Sequence, residues 1–326
     1  MRRIVYKIYL AACAMALLVA SSTFAQTLDY SDYNASYEII GSDSATINVT
    51  VEGVSFNFVK VEGGCMDLGK LGFCEIGTFW LMETEVTNEL ASLFFEEPAG
   101  YNYQNKISSH VRYENYDYSY DEIMASPFVI FGRLNYPVSQ YAFGRKVYDE
   151  LVYYIPEALS SLLNDFDFVI PTTKQWTYAA RGGNKSMHYT YSGSNNQDEV
   201  AWYSSNSNVL TENYGYTREA PHPVKSKSPN ELGLYDMSGN VCEFTCDDVI
   251  MGAAQFEIET QSLWYLSAEE SKMLYQDSKG KVICGGCCFS DNCYPSMIAD
   301  IEKTDGKPAS FSHNPTGIRL ALMPRK

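Results

Sequence analysis

The chain has 326 residues, 45% of them hydrophobic and 20% charged, enough to bury a core as one large domain or two small ones. Lys+Arg number 24 against Asp+Glu 40, a net charge of −16. That sign argues against nucleic acid and anionic membrane surfaces as partners, because both would repel the chain.

The first 25 residues read as an export signal. Arg2, Arg3 and Lys7 precede an apolar run from Ile8 to Ala20, and Thr23-Phe24-Ala25 supplies a small-residue cleavage site. The run is too short to span a bilayer, and no later stretch is long enough. Leu10-Ala11-Ala12-Cys13 also fits a lipoprotein box that would acylate Cys13. The apolar run continues past Cys13, so soluble export to the periplasm or the medium is the favoured reading. Cleavage removes three bases and no acid, which leaves 21 bases against 40 acids, or −19. It also removes one of nine cysteines. The remaining eight, an even number in an oxidising compartment, suggest disulfides.

Residues 26–54 read as a polar leader that tightens into a strand near "ATINVTV", ahead of a domain over 55–326. "SFNFVKVEGG" alternates Phe56 and Phe58 and predicts a strand ending at a Gly-Gly turn. "CMDLGKLGFCEIGTFWLME" predicts a hairpin, across which Cys65 and Cys74 could face each other if the register allows. "TNELASLFFEE" predicts a helix capped by Thr87 or Asn88. The Tyr- and acid-rich residues 101–135 read as a solvated insertion loop, with an aromatic contact surface as the alternative.

"SQYAFGRKVYDELVYYI" and "EALSSLLNDF" predict two more helices. In "FVIPTTKQWTYAARGG" a short strand at Phe168–Ile170 leads to a helix with Thr172 as N-cap. Gln175 completes a capping box and Gly182 ends the helix. The remainder is rich in Gly, Asn, Ser and Tyr and predicts turns and short strands.

Taken in order, the blocks "FVKVEGGCMDLG", "METEVTNELASLFF", "YPVSQYAFGRKV", "VIPTTKQWTYAARGG", "PNELGLYDMSGNVCEF", "CGGCCFSDNC" and "PTGIRLAL" resemble the sulfatase-modifying-factor family, which includes the formylglycine-generating enzymes. The combination of "YAARGG", "NELGLYDMSGNV", a late Gly-Gly and a terminal "GIR" carries the resemblance. It implies an α+β, C-type-lectin-like fold, loop-rich and low in regular secondary structure. It also implies calcium, bound by the Asp236 side chain, the Gly239 and Val241 carbonyls and the Glu243 carboxylate. Calcium is a hard cation that takes such mixed oxygen ligands. A second calcium would fall near Asn206 and Ser207.

In the enzymes of this family, a C-x4-C pair after the late Gly-Gly binds copper and oxidises a sulfatase cysteine to formylglycine. Here Cys288 and Cys293 have that spacing, and the resemblance makes them the catalytic, copper-binding residues of an active chain. Thiolates are the soft ligands that suit copper(I). The chain departs from the pattern around them. Cys284 and Cys287 replace the arginine and serine that flank the Gly-Gly, and Cys242 and Phe244 replace the two tryptophans of "GNVWEW". "CYPSMIADIEKT" lacks the substrate-holding arginines expected downstream, and only Arg319 of the terminal motif remains.

A bridge from Cys242 or Cys246 to Cys284 or Cys287 would staple two core loops and contribute ~2–4 kcal/mol. Zinc on the same four cysteines is the lesser alternative. Two functions follow. The first is an exported binding or structural module with a degenerate active site and a protein, peptide or glycan partner. The second is a copper-dependent oxidase acting on a sulfatase.

Overall fold

The computed structural model describes residues 33–41, 45–67, 73–94, 117–129, 155–211, 215–251, 278–294 and 315–325. The export signal, Cys13 and the predicted helix over 139–155, except its last residue, lie outside these residues. The fold is α+β, as expected. Its centre is a six-stranded antiparallel sheet in the order β1 (Ala35–Ile40), β2 (Thr46–Val51), β3 (Val54–Val61), β6 (Phe79–Met82), β13 (Ala321–Pro324) and β7 (Phe166–Val169).

The sheet starts in the expected leader. β1 (Ala35–Ile40) pairs with β2 (Thr46–Val51), so these residues belong to the sheet. Ile47, Val49 and Val51 are buried while the residues between them are half-buried, the period-2 signature of a strand with one covered face. β2 turns into β3 (Val54–Val61) through Glu52 and Gly53, both at positive φ (49° and 86°). A two-residue hairpin turn with two positive φ values matches the right-handed twist of its strands.

β4 (Gly64–Asp67) and β5 (Phe73–Ile76) form the expected hairpin, and its register decides a question left open by the sequence. Met66 pairs with Cys74 and Cys65 with Glu75. Successive side chains alternate faces, so Cys65 and Cys74 point to opposite sides and do not face each other.

β6 (Phe79–Met82) lies between β3 and the C-terminal strand β13 (Ala321–Pro324), which in turn pairs with β7 (Phe166–Val169). Both chain halves therefore share one sheet. Leu320 and Leu322 enter one apolar layer with Phe58 and Phe168, whose rings meet edge to face at 5.5 Å. Ala321 enters the opposite layer with Leu81 and Trp176. Burial on both sides explains why "LAL" is an uninterrupted apolar run.

The helices begin where the caps predicted. Thr87 caps Asn88–Ser92, and Thr172 with Gln175 forms the capping box of Thr173–Ala180. That helix ends at Arg181, with Gly182 in the left-handed region at φ 85°. A helix over 155–162 buries Ile155 and Leu159.

Within the Tyr-rich stretch, residues 117–129 are not the expected solvated loop. Ser119 and Glu122 form a capping box for the helix Tyr120–Ala125. Ile123, Phe128 and Val129 are buried, and the Tyr118 hydroxyl donates to the Pro221 carbonyl.

Beside the main sheet lies a three-stranded one. Its central strand β10 (Cys242–Met251) pairs antiparallel with β11 (Ser278–Cys284) and parallel with β12 (Thr316–Ile318). A hairpin of β8 (Asn208–Leu210) and β9 (Thr217–Glu219) follows the short helix Gln197–Val200.

Candidate functional site

The segment 230–243 is pinned before it becomes β10. Asn230 accepts from the Leu232 and Leu234 amides and donates to the Ala179 carbonyl, which ties the turn to the end of the Thr173–Ala180 helix. Asp236 and Asn240 both adopt positive φ (58° and 61°), which short polar side chains tolerate best after glycine. Gly239 sits against the Trp202 backbone, where an added Cβ would lie 2.3 Å from the Trp202 oxygen. Its amide donates to Gly285, while the Asn240 carbonyl accepts from Cys288. The turn is thereby clamped to the late Gly-Gly loop.

This clamp gathers a buried charge cluster. Glu243 and Arg319 are both fully buried. Arg319 donates from Nη2 to Glu243 Oε1 at 2.8 Å and from Nε to Oε2 at 3.0 Å. Its remaining donors reach the Met82 and Tyr235 carbonyls at 3.0 and 2.7 Å. Trp176 Nε1 donates to Glu243 Oε2 at 2.6 Å. Glu85, also fully buried, accepts from the Asn240 side-chain amide at 3.0 Å and the Val241 amide at 3.2 Å. Asp236 accepts from the Lys225 amide at 2.9 Å.

One guanidinium thus serves three carboxyls. Burial, then the charges of Asp236 and Glu243, push the Glu85 carboxyl well above its usual range. Burial pushes Asp236 up to about 6 against the Lys225 amide and Arg319. Burial also works against the charge on Arg319, but Glu243, Glu85 and Asp236 outweigh it.

Of the residues expected to hold calcium, Asp236, Gly239, Val241 and Glu243 all lie in or beside this cluster. Glu243, however, is spent on Arg319 and Trp176, and a divalent cation on it would sit beside a guanidinium. As placed, the four do not fit as one ligand set, because Arg319 already supplies the counter-charge. Near the expected second site, Asn206 caps its own turn by accepting from Tyr203 N, and the Ser207 hydroxyl donates to the Cys288 carbonyl at 2.7 Å.

Sequence reasoning missed Glu85, Trp176 and Asn240 as members of the cluster. The signal for Glu85 was an acid between Met82 and Val86, both of which are buried.

Cys288 and Cys293 come to the same place, next to the clamp, and both are fully buried. Cys293 donates to the Cys287 carbonyl at 3.6 Å. Burial, then hydrogen bonding to Cys287 and the charges of Cys287, Cys293 and Glu219, push the Cys288 thiol well above its ordinary value. Two soft donors at a copper-type spacing are present, both shut away from solvent.

Above the pair, Tyr191 and Tyr294 stack with ring centroids 5.5 Å apart. Burial, then Tyr294 and Cys293, push the Tyr191 hydroxyl up. Around them Tyr203 donates to Asp198 at 2.9 Å and Ser204 to Asp291 at 2.8 Å.

The remaining cysteines divide between two layers. Cys284 pairs with Glu243 in register and packs with Trp176, whereas Cys242 and Cys287 pack in the opposite layer. The strand alternation that does this also prevents Cys242, Cys246, Cys284 and Cys287 from converging as a zinc set. Among the described residues, no group of three or more His, Cys, Asp or Glu side chains is placed to hold a metal ion.

The order of these pieces, from the capped Thr173–Ala180 helix through the clamped turn to Arg319, is matched along its length. A model of the sulfatase-modifying factor enzyme 1-like domain fits residues 50–323. The chain belongs to this family. The sulfatase-modifying-factor-like domain is also similar to the Chaperone protein LppX of Paenibacillus barcinonensis. The two are 50% identical over 82 residues, which are 23% of this chain and 29% of that protein. The chain thus spans less than a third of that relative's length.

Among solved structures, Treponema denticola variable protein 1 has a TM-score of 0.51 at 21% identity, covering 86% of this chain and 99% of that one. The likeness shows a shared fold. A structure of CarF has a TM-score of 0.47 at 20% identity, covering 83% and 99%. No helix of the described residues is long and apolar enough to cross a membrane.

Proposed function

We propose that this sulfatase-modifying-factor-like domain is an exported binding module that has lost cysteine-oxidising chemistry. The observation that carries the reading is the full burial of Cys288 and Cys293, beneath the stacked Tyr191–Tyr294 pair. An oxidase of this type needs a reachable thiolate pair, and both sulfurs are shut away from solvent. The absence of the downstream arginines from the sequence points the same way.

The face above the pair suits recognition. It presents Tyr191, Tyr203 and Tyr294 (Tyr294 is 41% exposed) together with Asp198 and Asp291. Tyrosines give large contact area at small entropic cost, and the carboxylates favour a cationic partner. The favoured ligand is a polypeptide segment carrying Lys or Arg. The chaperone name of the matched relative is consistent with polypeptide binding.

The test offers the chain copper(I), oxygen and a peptide with the sulfatase Cys-x-Pro-x-Arg motif, followed by mass spectrometry. The expected result is intact cysteine. Formylglycine that disappears in Cys293→Ser would restore the oxidase. In parallel, a Lys/Arg peptide library and a glycan array are screened with wild type, Tyr294→Ala and Asp291→Asn. Binding confined to glycans would replace the polypeptide partner by a sugar.

A further inference from the structure

We infer that Cys242 and Cys287 form a disulfide that locks the start of β10 to the loop after the Gly-Gly. This rests on juxtaposition and stands apart from the binding reading.

The two residues lie 45 positions apart in the chain. The fold brings them together. Cys288 N donates to the Asn240 carbonyl at 2.9 Å, which lays the loop against the segment entering β10. Both sulfurs are fully buried in the same apolar layer. The Cys242 thiol is within hydrogen-bond reach of the Cys287 sulfur. All eight cysteines of the described residues stand as thiols, so the bridge is one the geometry allows and oxidation would complete.

Three other pairings fail on geometry. Cys284 shares a register position with Glu243, so it points away from Cys242 and belongs to the other layer. Cys65 and Cys74 lie on opposite faces of their hairpin. Cys287 also touches Cys288, but no peptide bond among the described residues is cis. Neighbouring Cα atoms across a trans peptide are about 3.8 Å apart, below the ~4.4 Å at which ordinary disulfides begin. Cys242 is the non-neighbouring cysteine whose side chain meets that of Cys287, and this contact selects it.

The chemistry needs an external disulfide as oxidant, either a small-molecule or a protein disulfide of the oxidising compartment. One sulfur, as thiolate, attacks that disulfide and forms a mixed disulfide, releasing one thiol. The other sulfur, after losing its proton, displaces the second thiol. Two cysteines are oxidised, one external disulfide is reduced, and both protons end on its thiols. Both sulfurs are sealed in the folded chain, so the exchange belongs to folding, before the layer closes.

The full chain is refolded in a mixture of reduced and oxidised glutathione, alkylated without reduction, and digested. The expected result is a linked pair of peptides carrying Cys242 and Cys287, with Cys65 and Cys74 alkylated. Reduction should lower the melting temperature by several degrees. Alkylation of both Cys242 and Cys287 in the refolded wild type would overturn the inference, and this reading needs no variant. Cys242→Ala and Cys287→Ala should each lose the reductant-dependent shift, while Cys65→Ala keeps it. A shift that survives in both would also overturn it.

Discussion

Arg319 and Glu243 form a two-pronged ion pair with no exposure to solvent, at 2.8 and 3.0 Å, and Trp176 closes the third side of the carboxylate. Removing one member of such a pair leaves a buried charge without its partner. Arg319→Leu should therefore cost about 3–5 kcal/mol in urea unfolding. Arg319→Lys keeps the charge but cannot reach Glu243, Met82 and Tyr235 together, so it should recover only part of the loss. A wild-type midpoint in Arg319→Leu would show that the pair does not organise the core.

Asp236 predicts a pH dependence with a definite sign. Its carboxyl is raised from 3.8 to about 6 in the folded chain, so the folded state holds a proton that the unfolded state releases first. The stability this group contributes is complete below pH 3.8 and declines as pH rises through about 6. The decline amounts to roughly 2–3 kcal/mol and is flat above that window. Asp236→Asn should remove this slope. Urea midpoints measured from pH 4 to 7.5 would check it, and parallel curves for the two proteins would rule it out. Glu85, raised in the same direction, adds to the wild-type slope and remains in the variant.

Two glycines of the same segment separate steric from conformational need. Gly239 has φ 80° and an added Cβ would strike the Trp202 oxygen at 2.3 Å. Gly233 has φ 89° with nothing within 4 Å of that position. Gly233→Ala should cost only the left-handed backbone penalty, about 1–2 kcal/mol. Gly239→Ala should cost more and break the clamp on Trp202 and Gly285. Thermal melts of the two variants give the ranking, and equal losses would mean that the clamp yields.

Calcium has its own measurement. With Arg319 as the counter-charge of Glu243, chelation by EGTA should leave the melting temperature unchanged. A fall that calcium reverses would put Asp236 and the Gly239 and Val241 carbonyls back in a ligand set, with Glu243 released from Arg319. Melting Asp236→Asn with and without calcium would then show whether Asp236 belongs to it.

Much of the architecture was legible along the chain because its signals are local. The Thr172 and Gln175 box, the Thr87 cap, the alternation before Gly63-Gly64 and the exit at Gly182 each depend on a few neighbouring residues. The order of family blocks pointed to the family whose model fits residues 50–323. Residues 117–129 were misjudged for the opposite reason. Their composition is that of a loop, but Ile123, Phe128 and Val129 are buried by contacts distant in sequence.

The sequence by itself determined which elements form, where they stop and which family they make, because caps, turns and periodicity act over a few residues. Only the tertiary structure decided the roles within the site. Glu85 and Arg319 are 234 positions apart, and Glu243 lies between them in the chain; nothing local says that these charges share one buried cluster. The same holds for the cysteines. Their spacing allowed several pairings; strand register put Cys65 back to back with Cys74 and Cys284 beside Glu243, and the loop bonded to Asn240 put Cys287 against Cys242. Alternation along a strand assigns each side chain to a face, and only the pairing of strands reveals what waits on that face.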